Sequence, residues 1–442
     1  MDVRKTVALL SNPEHVSLSK RVLVLGGGIG GIETALNLAS LGCACTLVEP
    51  GESLEARAEA MFSSHNAAKD YAGFFSTRKA ALFRDFRINV LLKTRVVSVA
   101  GHIGDFRVRT DCAGKTSAQG FGAIVVATGF ELDAALPDTE MPHRVISHLE
   151  LEKRIRNFRQ GMRSGRAGSV IPKDVCFIVA DSGDDSAIRS ASALKGALAV
   201  QKFWQSNVFV CCQNVGAPRE EMEKLYGEAR SSGVVFFKFD EERPAISIGD
   251  TVLEVTVRDS SAGPDGEWKG LIKIACDLLV VPERFVPRPD TACLRRLLRV
   301  NADASGFLQE NNVWLKPGAS NRKGIFFVGG CRGSLDVDDI LVEARAVALE
   351  VYNLVRSDEV PLPIGIATVD AAKCALCLTC LRSCPHAAVE VDHNPETGGK
   401  AALVVGIACE ACGICVAECP ANAIQMGEGE HQQAATELVR LR

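Results

Sequence analysis

Short runs of β-branched and aliphatic residues recur along the chain. Between them lie segments whose apolar positions fall three or four apart, the alternation of an α/β protein. Arg21-Val-Leu-Val-Leu25 predicts a buried strand. Ile32, Leu36 and Ala39 then repeat at helical spacing, and Leu41-Gly42 closes that helix. Cys45-Thr-Leu-Val48 predicts a second strand, ended by Glu49, so that one β-α-β unit is complete. Val96 to Val108 alternates as strand, turn and strand, and Ala123-Ile-Val-Val-Ala127 is a further buried strand that runs into Thr128-Gly129. A second α/β unit repeats the pattern, with strands at 175–179, 208–211 and 234–237 and helices at 187–199 and 219–231. Two later apolar runs, 278–281 and 325–328, are expected to rejoin the first sheet. The second unit is therefore read as an insertion in the first.

The organisation expected is an N-terminal extension over 1–20 and a first nucleotide-binding domain over 21–172 and 265–358. A second Rossmann-like domain spans 173–264. Val360-Pro-Leu-Pro363 reads as a linker to a small cysteine-rich domain over 364–426, followed by a tail over 427–442. The length of 442 residues suits roughly three domains. A formal charge of −4 gives no basic surplus that points to nucleic acid. No run approaches the ~18 consecutive apolar residues of a membrane-spanning helix. The start offers only the apolar run Val7 to Leu10 before Asn12, Pro13 and Glu14, which argues against a secretory signal.

Cysteine changes the picture. Of 17, eight crowd between Cys374 and Cys419, the distribution of a metal module in a cytoplasmic chain rather than of a secreted disulfide scaffold. The first run is Cys374-x-x-Cys377-x-x-Cys380-x-x-x-Cys384-Pro385, and the second is Cys409-x-x-Cys412-x-x-Cys415-x-x-x-Cys419-Pro420. Both match the bacterial ferredoxin run for [4Fe–4S] clusters, in which the fourth cysteine serves the other cluster. The expected sets are Cys374, Cys377, Cys380 and Cys419 for one cluster, and Cys384, Cys409, Cys412 and Cys415 for the other. Zinc is the alternative for paired C-x-x-C motifs, and it does not account for two identical four-cysteine runs that each end in Cys-Pro. The other cysteines, among them Cys43, Cys45, Cys211 and Cys331, form no C-x-x-C and read as buried packing residues. His143 and His148 read as surface or loop residues.

Gly26-x-Gly28-x-x-Gly31 lies between a strand and a helix. There Gly26 permits the tight turn, Gly28 admits a pyrophosphate, and Gly31 lets helix and strand pack closely. Glu49, at the end of the second strand, can accept both ribose hydroxyls. Thr128-Gly129 and Gly324-Ile-Phe-Phe-Val-Gly-Gly330 resemble the second and third signatures of flavoproteins with two dinucleotide domains. Three signatures in that order favour FAD. The third signature reaches the flavin side and usually carries an Asp after its last glycine. Cys331 stands there instead, with Asp336 or a backbone N–H expected to replace that contact. The first turn of the second unit, Ala180 to Asp185, carries one glycine and two terminal aspartates that would repel a pyrophosphate, which argues against NAD(P)H there.

FAD signatures followed by a double-cluster ferredoxin resemble the A subunit of heterodisulfide reductase and its relatives. The segment from Val97 to Val108 looks like that family's strand–turn–strand, with Val97 taken as a cofactor-site residue. Phe285-Val-Pro-Arg-Pro-Asp290 resembles its M-V-P-R-P-D stretch, and Gly330 to Asp339 its G-A-C-x-G-P-K-D-I-P-D stretch. The lysine and first proline of the latter are Leu335 and Ser334 here. The resemblance implies a thioredoxin reductase-like α/β flavoprotein with a C-terminal α+β ferredoxin domain holding two [4Fe–4S] clusters. It also implies an electron-transfer subunit, cytoplasmic or peripheral to the inner membrane through its partners. Those partners are the other subunits of a heterodisulfide reductase-like complex, a ferredoxin or a hydrogenase- or dehydrogenase-type donor, and a second copy within the complex. Electron bifurcation at the flavin is one expectation. A stand-alone NAD(P)H:ferredoxin-type oxidoreductase, or a relay scaffold with structural FAD, is the alternative. No catalytic acid–base pair is evident.

Overall fold

The computed structural model describes residues 15–17, 19–54, 71–133, 143–164, 171–179, 186–213, 220–240, 243–248, 253–258, 271–333, 336–356, 359–361, 365–393 and 398–427. Residues Ala180 to Asp185 and Ser334 and Leu335, singled out above, lie outside them, as do 1–14 and 428–442.

The first sheet has seven strands, in the order Glu310–Asn312, Lys316–Ser320, Ile325–Phe327, Ala123–Val126, Arg21–Leu25, Ala44–Val48 and Ile88–Leu91. The last five run parallel. Arg21–Leu25 and Ala123–Val126 are apolar almost throughout because both faces are covered. One face packs against the helices Ile29–Ser40 and Val337–Val355 through Ile32, Ala35, Leu38, Ala344 and Val351. On the other, Phe106, Val108 and Phe121 of the antiparallel sheet 94–100, 106–112 and 115–121 close over Leu23, Ile124 and Phe327. Parallel alignment brings Leu25, Val48, Val126 and Phe327 level, so the carboxyl ends of four strands open on one edge, where such sheets bind ligands.

The second sheet is fully parallel, in the order Val145–Ser147, Leu278–Val281, Asp174–Val179, Asn207–Cys212 and Val235–Lys238. This corrects two expectations. The run 278–281 does not rejoin the first sheet; it pairs with Val175–Phe177 and with Val145–Ser147. The boundaries at 172/173 and 264/265 accordingly move outward, because Val145–Ser147 and the helix His148–Ser164 also pack into the second core. The two units are joined by an antiparallel ribbon in which Phe130–Asp133 pairs with Arg284–Pro287.

The cysteine-rich segment folds as two small antiparallel pairs, Ala367–Val369 with Ile424–Met426 and Val389–His393 with Lys400–Val404, and two short helices, Thr379–Ser383 and Ile414–Ala417. Its core contains Cys380, Cys409 and Cys415 among small apolar residues.

Candidate functional site: a dinucleotide cavity and two thiol-lined cavities

At the carboxyl edge of the first sheet lies a cavity of about 370 Å³. Its lining includes Gly27, Gly28, Glu49, Thr128, Gly129, Arg288, Gly329 and Gly330. The three fingerprint glycines have separate reasons to be glycine. Gly26 sits at φ +110°, and a Cβ there would lie 2.3 Å from the Ala127 carbonyl oxygen. A Cβ on Gly31 would lie 2.0 Å from the Gly26 oxygen, so this residue sets the contact of helix and strand. At Gly28 a Cβ would meet nothing within 4 Å. That open space faces the start of the helix Ile29–Ser40, which has no side-chain cap and no acidic residue in its first turn. Its leading N–H groups therefore remain available to an anion.

Glu49 is 6% exposed, and its two oxygens accept from the N–H groups of Gly27 at 2.7 Å and Gly51 at 2.8 Å. These donors orient the carboxylate and leave each oxygen a lone pair for a hydroxyl. The Thr128 hydroxyl is buried in the wall without a hydrogen-bond partner.

Not every expected residue gathers here. Val97 does not line the cavity. It is 43% exposed on the antiparallel sheet, where a bulge between Val96 and Ser98 breaks the pairing. Asp336 instead caps the helix Val337–Val355, accepting from the N–H of Asp338. Cys331 is fully buried, donates to the Val126 carbonyl at 3.3 Å, and is pushed by burial to about 11, so it is a neutral packing thiol. His148 corrects its surface reading. It is buried and faces Phe177 from the start of its helix, an environment built by a distant strand. Arg288 lines the cavity, and the P-R-P-D stretch was the sequence signal that could have found it.

The eight clustered cysteines separate into two cavities. Cys374, Cys377, Cys380 and Cys419 line one, with Val369, Leu376 and Ile424. Cys384, Cys409, Cys412 and Cys415 line the other, with His386, Val389 and Ile414. Each cavity thus takes three thiols from one run and the fourth from the other. Burial raises Cys380, and the neighbouring Cys374, Cys377 and Cys419 add to it. Burial, followed by Cys384, Cys409 and Cys412, pushes Cys415 to about 11. Thiolates gathered this closely repel one another, and a cationic guest would relieve the repulsion.

The backbone repeats itself between the two runs. Leu376, Leu378 and Ala387 have φ of 52°, 63° and 51°. Ala411, Gly413 and Asn422, at the offset that separates Cys374 from Cys409, have 53°, 77° and 46°. Five of these six are not glycine, and left-handed backbone at such residues carries a cost that marks functional segments. The N–H groups of Ala388, Ala402, Ala411 and Ala423 point at the sulfurs of Cys384, Cys374, Cys409 and Cys419 at 3.3 to 3.5 Å. Among the described residues, no three His, Cys, Asp or Glu side chains are arranged to hold a single metal ion.

The module is docked on the first domain. The Asn321 side chain donates to the Pro385 carbonyl, and Lys323 donates to the carbonyl of Cys409 at 2.7 Å. Lys323 also lies 3.5 Å from Glu410, and His102 lies 2.7 Å from Glu390.

A family model described as pyridine nucleotide-disulphide oxidoreductase matches residues 20–161. The A subunit of the H(2):CoB-CoM heterodisulfide,ferredoxin reductase of Methanothermobacter thermautotrophicus is 23% identical over 86% of this chain and 70% of its own length. The A subunit of the ferredoxin:CoB-CoM heterodisulfide reductase of Methanosarcina acetivorans is 24% identical over 86% of this chain and 62% of its own. Among solved structures, thioredoxin reductase of Lactococcus lactis superposes with a TM-score of 0.49 at 16% identity, covering 76% of this chain and 99% of its own. Among the described residues no helix is long and apolar enough to cross a membrane.

Proposed function

We propose that this oxidoreductase, similar over most of its length to the A subunit of heterodisulfide reductase, is a flavin and iron–sulfur electron-transfer subunit that holds FAD in the cavity of the first domain and two [4Fe–4S] clusters in the cysteine module. One observation carries the reading: a glycine-lined dinucleotide cavity and two cavities of four thiols each occur in one chain, and each thiol set draws its fourth member from the other run.

The donor sets fit these groups. The free helix N-terminus at Gly28 suits a pyrophosphate, and the oriented Glu49 carboxylate suits a ribose. Thr128 and Gly129, with Gly330 opposite, would border the flavin portion, while Gly26 and Gly31 hold the turn and Asp336 the start of the following helix. Two four-thiol sets with N–H groups aimed at their sulfurs and matched left-handed turns, drawn from two identical runs that each end in Cys-Pro, suit a cubane better than zinc. When bound, FAD would supply exchange between two-electron and one-electron chemistry, and the clusters single-electron transfer.

The chain's own contribution is placement. The strand Ile325–Phe327 connects the two kinds of site. Just before it, Asn321 to Lys323 grip the module; just after it, Val328 to Gly330 line the cavity. The link is short: three residues of strand at ~3.3 Å each, preceded by a turn at Lys323 and Gly324 and followed by the 3-10 turn Gly329–Cys331. Because the grip falls on Pro385 and Cys409, the set Cys384, Cys409, Cys412 and Cys415 faces the first domain, and the other set lies farther out. Partner subunits, which the word subunit in the relatives' names supports, a substrate site on one of those partners, and electron bifurcation at the flavin belong to the same proposal.

Anaerobic purification tests it. The expected product is a yellow-brown protein with one FAD and about eight iron and eight sulfide per chain. A colourless preparation, or one with zinc and no sulfide, would refute the reading.

A further inference from the structure

We propose that Arg288 is the positioning cation that stabilises the negative charge of reduced flavin in the cavity of the first domain, an inference that rests on the FAD reading above. Arg288 is 7% exposed and is the one Lys or Arg among the described residues lining that cavity. Its Nε and Nη2 each donate to a carboxylate oxygen of Asp290 at 3.0 Å, and Nη1 donates to the Thr128 carbonyl at 3.4 Å. A guanidinium has five N–H donors, so one on each terminal nitrogen remains for a ligand. The Asp290 side chain is 39% exposed against 6% for Arg288. Water therefore screens the carboxylate more than the guanidinium, and Glu131, the other carboxylate near this wall, is exposed and screened in the same way.

The flavin end of the cavity is the one Arg288 serves. The pyrophosphate and ribose already have the Gly28 helix start and Glu49. Arg288 directly follows the ribbon strand whose Pro287 pairs with Phe130. Phe130 in turn stands against Gly330, where a Cβ would lie 2.3 Å from its ring. Gly330 is the residue of the third signature expected beside the flavin. The acid usual at the next position is here the buried thiol of Cys331, whose hydrogen bonds go to backbone carbonyls. Arg288 is thus the charged donor left on that wall.

Two-electron reduction of a flavin with one proton taken up at N5 leaves a negative charge over N1 and the C2 carbonyl. A fixed cation in a water-poor site favours that state. Sulfite reports the same property without any electron transfer to the clusters. Its sulfur lone pair forms a bond to N5, and the displaced electron pair becomes the anion at N1.

The test uses the full chain carrying FAD and clusters, with sulfite titrated against the flavin absorbance and FAD content measured by release. Arg288→Gln is expected to bind sulfite at least tenfold more weakly at undiminished FAD content. Tenfold corresponds to ~30 mV for a two-electron couple, and the flavin midpoint should fall by at least that much. Arg288→Lys should recover most of both effects. Asp290→Asn, which leaves the guanidinium in place and removes its counter-charge, should tighten sulfite at least threefold. Sulfite affinity within twofold of wild type in both Arg288→Gln and Asp290→Asn overturns the proposal. So does an Arg288→Gln variant that releases FAD while its flavin-bound fraction keeps wild-type sulfite affinity, since that assigns the guanidinium to the pyrophosphate. A wild-type chain that takes up no FAD strikes the underlying reading instead.

Discussion

Asn321 donates from its side-chain nitrogen to the carbonyl of Pro385 at 2.5 Å, and this bond ties the first cysteine run to the flavin-type domain. The same side chain accepts from the N–H of Asn301 at 2.8 Å, and the Asn321 carbonyl lies 2.7 Å from Nδ1 of His386. Asn321 is 2% exposed, so its partners have little water to fall back on. Replacing it with Leu leaves the Pro385 carbonyl and the Asn301 N–H unsatisfied, each at ~1–3 kcal/mol. Asn321→Leu should lower the thermal midpoint of the cysteine module and speed its proteolysis, with FAD content unchanged. Proteolysis and melting that match the wild type would show that the junction is held elsewhere.

The two thiol sets predict which variants resemble one another. Cys380→Ser and Cys419→Ser are distant in sequence and line the same cavity. Both should lose about half of the iron and the same electron paramagnetic resonance signal. Cys384→Ser should behave like Cys412→Ser and lose the other signal. If Cys419→Ser instead matched Cys412→Ser, each run would be holding its own cluster. Because the module's small core is built around these thiols, removing all iron with a chelator should also melt it.

The cysteine runs and the glycine fingerprint were legible in the chain because their chemistry is local: ligands three apart, and glycine where a Cβ would strike Ala127 or Gly26. The partner of the run 278–281 was not. A strand buried on both faces reads the same in either sheet, and its neighbours Val145–Ser147 and Val175–Phe177 are more than a hundred residues away. Val97 was misplaced because an alternating pattern reports which residues share a face, not which face meets a ligand. His148 owes its burial to Phe177, another element altogether.

His148 also makes stability depend on pH. Burial, the largest cause, with Arg189 acting in the same direction, lowers it to about 4 from 6.5, and Glu283 opposes this. Above pH 6.5 the imidazole is neutral in both the folded and the unfolded chain and contributes no pH dependence. As the pH falls below 6.5 the unfolded chain takes up the proton first, and stability is lost until the folded form is protonated near pH 4. The loss over that window is up to ~3 kcal/mol. Melting of the wild type should therefore fall between pH 6.5 and 4 more steeply than that of His148→Phe, which removes the titrating group. Parallel curves for the two proteins would place the acid sensitivity elsewhere.

Gly28 and Gly31 should fail in opposite ways. A side chain at Gly28 meets nothing within 4 Å, and its φ of −75° suits any residue, so Gly28→Asp should fold. Its carboxylate would then stand where the pyrophosphate binds, at the start of the helix Ile29–Ser40, and repel it. The expected protein keeps its iron, melts like wild-type apoprotein and has lost its FAD. Gly31→Ala puts a methyl group 2.0 Å from the Gly26 carbonyl oxygen, a backbone atom with no rotamer by which to withdraw. Helix and strand must separate there, with a cost of several kcal/mol in the range of severe overpacking. This variant should lose stability first and FAD as a consequence, with a lowered midpoint even for apoprotein. Apoprotein melting separates the two cases, because it removes the ligand's own contribution to the midpoint. A Gly28→Asp apoprotein as unstable as Gly31→Ala would mean that Gly28 is a packing glycine and that the space above the helix is not the pyrophosphate site.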